Sequence, residues 1–235
     1  MIKFSSPLLT ILRLFCLCSI FVPVSHTWGN NSDSVDPLNP EVAYGSEVSY
    51  AIYRNNKRIG THSIRFSREN ADLVVSVSSK LVVTVLKIPV YRFNYSASEL
   101  WREGQLQEVR SKVTEKGETK TVSLQRQGDQ VQLTEPAGNT TTATLDFASN
   151  HWHPGVLQAN AIFNTLTGKA NQINITSKGV EQLTVADQII EATHYHYSGE
   201  LQTDVWYDER LRWVKLQFKG SDGSVIEYRC EGFTS

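Results

Sequence analysis

Tyr91-Arg92-Phe93-Asn94-Tyr95-Ser96-Ala97-Ser98 alternates apolar and polar residues without a fault, the period of two that sends successive side chains to opposite faces of a β-strand. After Glu99 and Leu100, which break the alternation, Trp101 and Arg102 resume it. Tyr91, Phe93, Tyr95, Ala97 and Trp101 therefore form a face to be buried, and Arg92, Asn94, Ser96, Ser98 and Arg102 a face for water. One wet side and one dry side is the mark of an antiparallel sheet rather than of a parallel one covered on both faces.

Working outward, the same rhythm runs from about Glu41 to the C-terminus, cut roughly every eight to twelve residues by turn formers. Turns are expected at Asn55-Asn56-Lys57, Glu103-Gly104, Lys116-Gly117, Gly128-Asp129, Lys178-Gly179, Ser198-Gly199, Asp208-Glu209-Arg210 and Ser221-Asp222-Gly223. About a dozen strands joined by short hairpins make an antiparallel meander, in which neighbours in sequence are neighbours in space. One segment reads differently. Pro154 opens it, Val156, Ala159, Ile162, Phe163 and Leu166 follow at helical spacing, and Gly168 closes it, which predicts an amphipathic helix of about four turns. Its apolar stripe needs a partner, and the apolar face of the sheet is the partner on offer. The expected fold is mainly β: an antiparallel meander curled into a strongly curved sheet or open barrel, with that helix packed on its apolar face.

The N-terminus sets the compartment. Met1 to Arg13 carry Lys3 and Arg13 and no acid, Leu14 to Val22 are almost all apolar, and Pro23 to Gly29 turn small and polar. That is a signal peptide over residues 1–29, cut somewhere in 25–29. Its apolar run is shorter than the roughly 20 residues that span a bilayer, and no second run follows, so no integral membrane segment is expected in the mature chain. Residues 30–40 read as a flexible leader and 41–235 as a single β-rich domain. The expected location is periplasmic or secreted. Loss of Lys3 and Arg13 turns 23 basic and 24 acidic residues into 21 and 24, a net charge of −3, which leaves no basic field for nucleic acid. Cys16 and Cys18 leave with the signal, so the mature chain keeps Cys230 alone and no internal disulfide.

Several short motifs stand in order along the chain: Lys57-Arg58-Ile59-Gly60, Ile88-Pro89-Val90-Tyr91, Trp152-x-Pro154 with Asn164-Thr165-Leu166-Thr167-Gly168, and Trp206-Tyr207-Asp208 leading to Arg212-Trp213-Val214-Lys215-Leu216. Together they resemble a family of exported bacterial proteins labelled as a domain of unknown function, over nearly the whole mature chain. The resemblance implies a secreted or periplasmic domain with no assigned activity. That family more often places Asn at the position of His153, which argues against a shared histidine chemistry.

The residues suggest two kinds of site. His151-Trp152-His153 and His194-Tyr195-His196 are H-x-H pairs, and on a strand the two histidines of a pair share a face, as zinc ligands require. Asp204 or Asp208 would complete such a site. A metal-dependent envelope enzyme built on His151, His153, His194 and His196 is thus one alternative, although the first pair precedes a helix, where i and i+2 diverge. There is no G-x-S-x-G elbow, Gly-rich phosphate loop or H-E-x-x-H motif, and the residues imply no cofactor. The aromatic strand points instead to binding. Tyr91, Phe93, Tyr95 and Trp101, backed by Val75, Val77, Val83 and Val85, make a broad apolar wall that Trp152, Ile162 and Phe163 would face. A curved sheet with a covering segment can hold an apolar small molecule or lipid between them. The leading expectation is an exported, non-enzymatic carrier or binding protein. A structural or partner-binding protein, its wall simply filled core, is the remaining alternative.

Overall fold

The protein's structure, a computed structural model, describes residues 39–86 and 88–234. The expected signal peptide and the leader up to residue 38 lie outside the described residues. The described chain starts with one helical turn, α1 (Pro40–Tyr44), with proline where its missing N–H costs nothing.

Eight strands follow: β1 (Glu47–Arg54), β2 (Lys57–Glu69), β3 (Asp72–Val85), β4 (Ile88–Arg102), β5 (Gln105–Glu115), β6 (Glu118–Gln127), β7 (Gln130–Thr134) and β8 (Thr140–Ala143). After a crossing segment come β9 (Ala161–Phe163), β10 (Ala170–Val185), β11 (Gln188–Gly199), β12 (Thr203–Asp208), β13 (Trp213–Lys219) and β14 (Val225–Thr234). They form one sheet of 14 strands in the order β8 to β1, then β14 to β9. Two antiparallel meanders are thus welded where β1 pairs with β14. The hairpins use the turn chemistry the sequence offers. Asn55 and Asn56 both have positive φ, as do Glu103-Gly104 and Lys116-Gly117, the geometry that matches the twist of the flanking strands.

Curvature follows from the edges. Laid flat, 14 strands at about 4.8 Å spacing would put β8 and β9 some 60 Å apart. Yet Phe147, four residues beyond Ala143 at the end of β8, accepts a 2.9 Å hydrogen bond from the Phe163 N–H of β9, and the Ser149 N–H donates to the Phe163 carbonyl at 3.0 Å. Four residues reach about 14 Å at most. The sheet is therefore curled until its edges nearly meet, and the chain that leaves one edge covers the other.

The expected helix over 154–168 is replaced by a short 3-10 turn, Pro154–Gln158, followed by the strand β9. Proline does open the segment, and its apolar stripe is buried at Val156, Ile162 and Phe163, but extended backbone wins after Gln158. There Ala161, Ile162 and Phe163 pair with Gln172, Asn171 and Ala170 of β10 on one side, and Phe163 bonds Phe147 and Ser149 on the other. A helix would leave both of those ladders unpaired. The Lys178-Gly179 turn is likewise absent: both residues lie inside β10, where the register with β11 slips between Ser177 and Gly179. Gly179, at φ +106°, permits the bulge.

Candidate functional site

The crossing segment, 144–169, lies over the inward face of the sheet, and much of its backbone has no ladder partner. Buried tyrosines supply the missing bonds. Tyr44 donates to the Trp152 carbonyl at 2.8 Å and accepts from the Trp213 N–H at 2.8 Å, while Tyr207 donates to the His151 carbonyl at 2.8 Å. Tyr95 donates its hydroxyl proton to Asn150 Oδ1 at 2.8 Å, its oxygen pairs with the Thr165 hydroxyl at 2.9 Å, and Ser111 donates to the Thr165 carbonyl.

The firmest anchor is Glu99. Its position keeps the alternation of β4 rather than breaking it: Tyr95, Ala97, Glu99 and Trp101 are all buried, with Glu99 1 % exposed. The indole N–H groups of Trp101 and Trp152 both donate to Oε2, at 2.8 and 2.9 Å, and the Asn150 amide donates to Oε1. Burial raises the pKa of this carboxyl, against the pull of three donors from Asn150, Trp152 and Trp101. Glu99 thus ties the sheet to both the tryptophan and the asparagine of the crossing segment.

Beside this network lies a cavity of about 220 Å³. β4 contributes Phe93 and Tyr95, β13 Trp213, Leu216 and Phe218, and β14 Tyr228. The crossing segment contributes Asn150, His151 and Thr165, and the β11–β12 connection Leu201 and Gln202. Leu166 and Gln202 are its exposed lining residues and mark its mouth. Two buried histidines complete the wall, His62 from β2 and His151, 5 % and 6 % exposed. Both pack on Trp213, with ring centroids 5.5 and 5.8 Å away. Burial lowers their pKa values to about 3 and about 4, so both rings are neutral at physiological pH. Among the described residues, no Lys, Arg, Asp or Glu lines this cavity. A broader depression of about 770 Å³ elsewhere is lined by Glu108, Arg110, Lys112 and Glu135 among others, a polar and mixed-charge surface without the apolar walls that desolvate a ligand.

Of the residues singled out in the sequence, Phe93 and Tyr95 line the cavity. Trp101, Trp152, Ile162 and Phe163 are packed into the core. Tyr91 lies farther along β4 beside Pro89, Val90 and Thr114. The histidine pairs sit on opposite sides of the sheet. His151 stacks edge-on against inward-facing Tyr197 of β11, centroids 5.5 Å apart, and His153 is sandwiched by Trp101, 4.8 Å away and 11° from parallel. His194 and His196 face outward and share Asp204 Oδ1, at 2.8 and 2.9 Å, while His194 also meets Glu181 Oε1 at 3.0 Å. Partial burial raises the Asp204 pKa, but the hydrogen bonds from the two histidines outweigh it and leave that pKa lowered. Among the described residues no group of three or more His, Cys, Asp or Glu is arranged to hold a metal ion. Asp208 closes a turn instead, accepting from the Arg210 and Arg212 amides at 3.0 and 2.8 Å. Sequence reasoning missed Glu99, His62 and the 201–203 connection; a lone acid on the apolar face of an aromatic strand is the signal that was there to be read.

A curled antiparallel sheet around a lined cavity defines a β-barrel-like protein, and comparisons agree at that level. The chain belongs to the family described as a domain of unknown function, DUF6134, which matches residues 50–231. Among solved structures it is similar to a β-barrel-like DUF1849 protein from Brucella abortus, with a TM-score of 0.57 and 10 % identity, covering 78 % of this chain and 94 % of that one. A candidate lipoprotein from Parabacteroides distasonis is similar over 80 % of this chain and 94 % of its own, at 8 % identity and a TM-score of 0.31; that likeness is too low to support a common fold. No curated protein matches. No helix among the described residues is long and apolar enough to cross a membrane.

Proposed function

We propose that this is an exported, non-enzymatic binding protein for a compact apolar ligand, working in the periplasm or outside the cell. The observation that carries the reading is the cavity beneath the crossing segment: apolar on most of its wall, open at Leu166 and Gln202, and set in a core otherwise filled by large side chains. At about 220 Å³ it falls below the roughly 300 Å³ where pockets for drug-sized ligands begin. It exceeds the roughly 150 Å³ apolar cavity that suffices for benzene. A one-ring molecule or the end of a chain fits; a whole lipid does not. The signal-peptide pattern of residues 1–29 supports the compartment.

Calorimetric titration with toluene tests the reading. Micromolar to sub-millimolar binding is expected, weakened at least tenfold by Leu201→Trp, which adds bulk at the mouth from a half-buried position with little effect on the fold. Absence of toluene binding, with no small molecule in a native mass spectrum of protein isolated gently from its host, overturns it. N-terminal sequencing of that material checks the compartment: a start in the region 26–30 is expected, and an intact Met1 in the cytosol argues against export.

A further inference from the structure

Two histidines that line the cavity each carry a buried ring nitrogen without a partner among the described residues. His62 Nδ1 is 2.6 Å from Ser79 Oγ, whose hydroxyl also bonds Tyr228, while His62 Nε2 is buried without a partner. His151 Nδ1 is buried and unpartnered in the same way. Both side chains line the cavity and both are more than nine-tenths buried. Buried polar atoms are nearly always paired, and leaving two unpaired is costly. His151 is also held at φ +60°, a backbone conformation that non-glycine residues rarely adopt. Its ring is kept in place by packing against Trp213 and Tyr197 and by the Tyr207 bond to its carbonyl.

We propose that the cavity selects a hydroxyl-bearing, uncharged, one-ring molecule of the phenol class, its apolar ring against Trp213, Phe93, Leu216 and Phe218 and its hydroxyl paired with His62 Nε2 and His151 Nδ1. The inference rests on the binding reading above and adds the chemistry of the ligand. A neutral imidazole nitrogen is either a donor or an acceptor according to its tautomer. A hydroxyl donates and accepts, so it satisfies two such nitrogens when one is bare and the other protonated; a carbonyl or ether only accepts. A carboxylate is disfavoured, because no Lys or Arg among the described residues lines the wall and a buried anion without a cation is heavily penalised. Ring size is set by the volume.

The experiment pairs p-cresol with toluene, which differ by the hydroxyl alone, by calorimetry on the protein at neutral pH. The expected result is p-cresol binding at least tenfold tighter than toluene. His62→Phe, which keeps a ring of similar size and removes both nitrogens, is expected to bring the two affinities within about threefold of each other. Imidazole ¹⁵N shifts of the unaltered protein provide a readout that does not depend on the variant folding: p-cresol moves His62 Nε2 and His151 Nδ1, and toluene moves neither. Equal affinities, or unmoved nitrogens, overturn the proposal and leave the apolar-cavity reading standing. If neither probe binds, this proposal falls, and the binding reading falls with it when the native mass spectrum also shows no small molecule.

Discussion

Glu99 is the residue on which sheet and crossing segment depend most. Glu99→Ala removes the acceptor shared by the Trp101 and Trp152 indoles and leaves two buried donors unpaired, each costing about 1–3 kcal/mol. A loss of several kcal/mol is expected in chemical denaturation. Glu99→Gln keeps an oxygen for the indoles and conflicts only with the Asn150 amide, which can turn over because the Tyr95 hydroxyl accepts as readily as it donates. Its expected cost is nearer 1 kcal/mol, and equal costs for the two variants would refute this account of the anchor. The buried histidines set the response to acid. Burial depresses His62 to about 3, His151 to about 4 and His153 to about 4, whereas the unfolded groups titrate near 6.5. The unfolded chain therefore binds more protons between those limits. Stability is complete above about pH 6.5 and falls as pH drops toward 4, by up to about 1.4 kcal/mol per pH unit for each histidine. Glu99, raised by burial, works in the opposite sense above its unfolded pKa and softens that slope. His153→Asn retains a side-chain oxygen for the Gly155 N–H, which His153 Nδ1 now caps at 3.0 Å. The variant should lose about one proton's worth of pH dependence in urea midpoints measured from pH 7 to 4.5. An unchanged slope would mean that His153 titrates alike in both states.

At the scale of the element, the crossing segment is held by its turns as much as by its tyrosines. Asn164 Oδ1 accepts from the Leu166 and Thr167 amides at 3.0 and 3.2 Å, and the Gly168 N–H returns to the Asn164 carbonyl at 2.8 Å. Gly168 has φ +77°, and a Cβ there would stand 2.6 Å from the Thr134 carbonyl of β7. Gly168→Ala combines backbone strain with a clash against main chain, so a cost of about 2 kcal/mol or more is expected, read as a drop in melting temperature. The Asn-Thr-x-Thr-Gly motif is thus the foot of the segment, a turn set against β7 where the sequence reading expected the last turn of a helix. The helix expectation failed here for a physical reason. Apolar residues at 156, 162 and 163 satisfy a helical stripe and a turn-plus-strand equally well, and the choice is made by β10 and by Phe147–Ser149, whose free ladder groups the local sequence does not contain.

For the whole molecule, stability rests on a core without covalent staples. Cys230 is buried and unpaired, and burial pushes its thiol pKa up to about 11, so it stays protonated and unreactive. Thermal melts with and without reductant should superimpose, and an aromatic disulfide reagent should label Cys230 only as fast as the protein unfolds. Rapid labelling of the native protein would show that the β14 region opens locally. The curl of the sheet also makes the cavity: closing β8 toward β9 is what places residues 144–169 over the inward face and walls off a space that no single strand or hairpin contains.

The sequence by itself determined the strands, most of their turns and the existence of one buried face, because those follow from side-chain alternation and from residues that tolerate positive φ, both local properties. It also named Phe93 and Tyr95, which reach the cavity, since an apolar position on the inward face is readable from its neighbours. Only the tertiary structure decided which inward residues stay at a cavity wall and which become filled core, as Trp101, Trp152, Ile162 and Phe163 did. It alone brought His62, His151 and the 201–203 connection together from three separate parts of the chain. It also gave Glu99 its place: an acid breaks the pattern when only its own strand is considered, and completes it once Trp152 and Asn150, about 50 residues away in the chain, present the donors that a buried carboxylate requires.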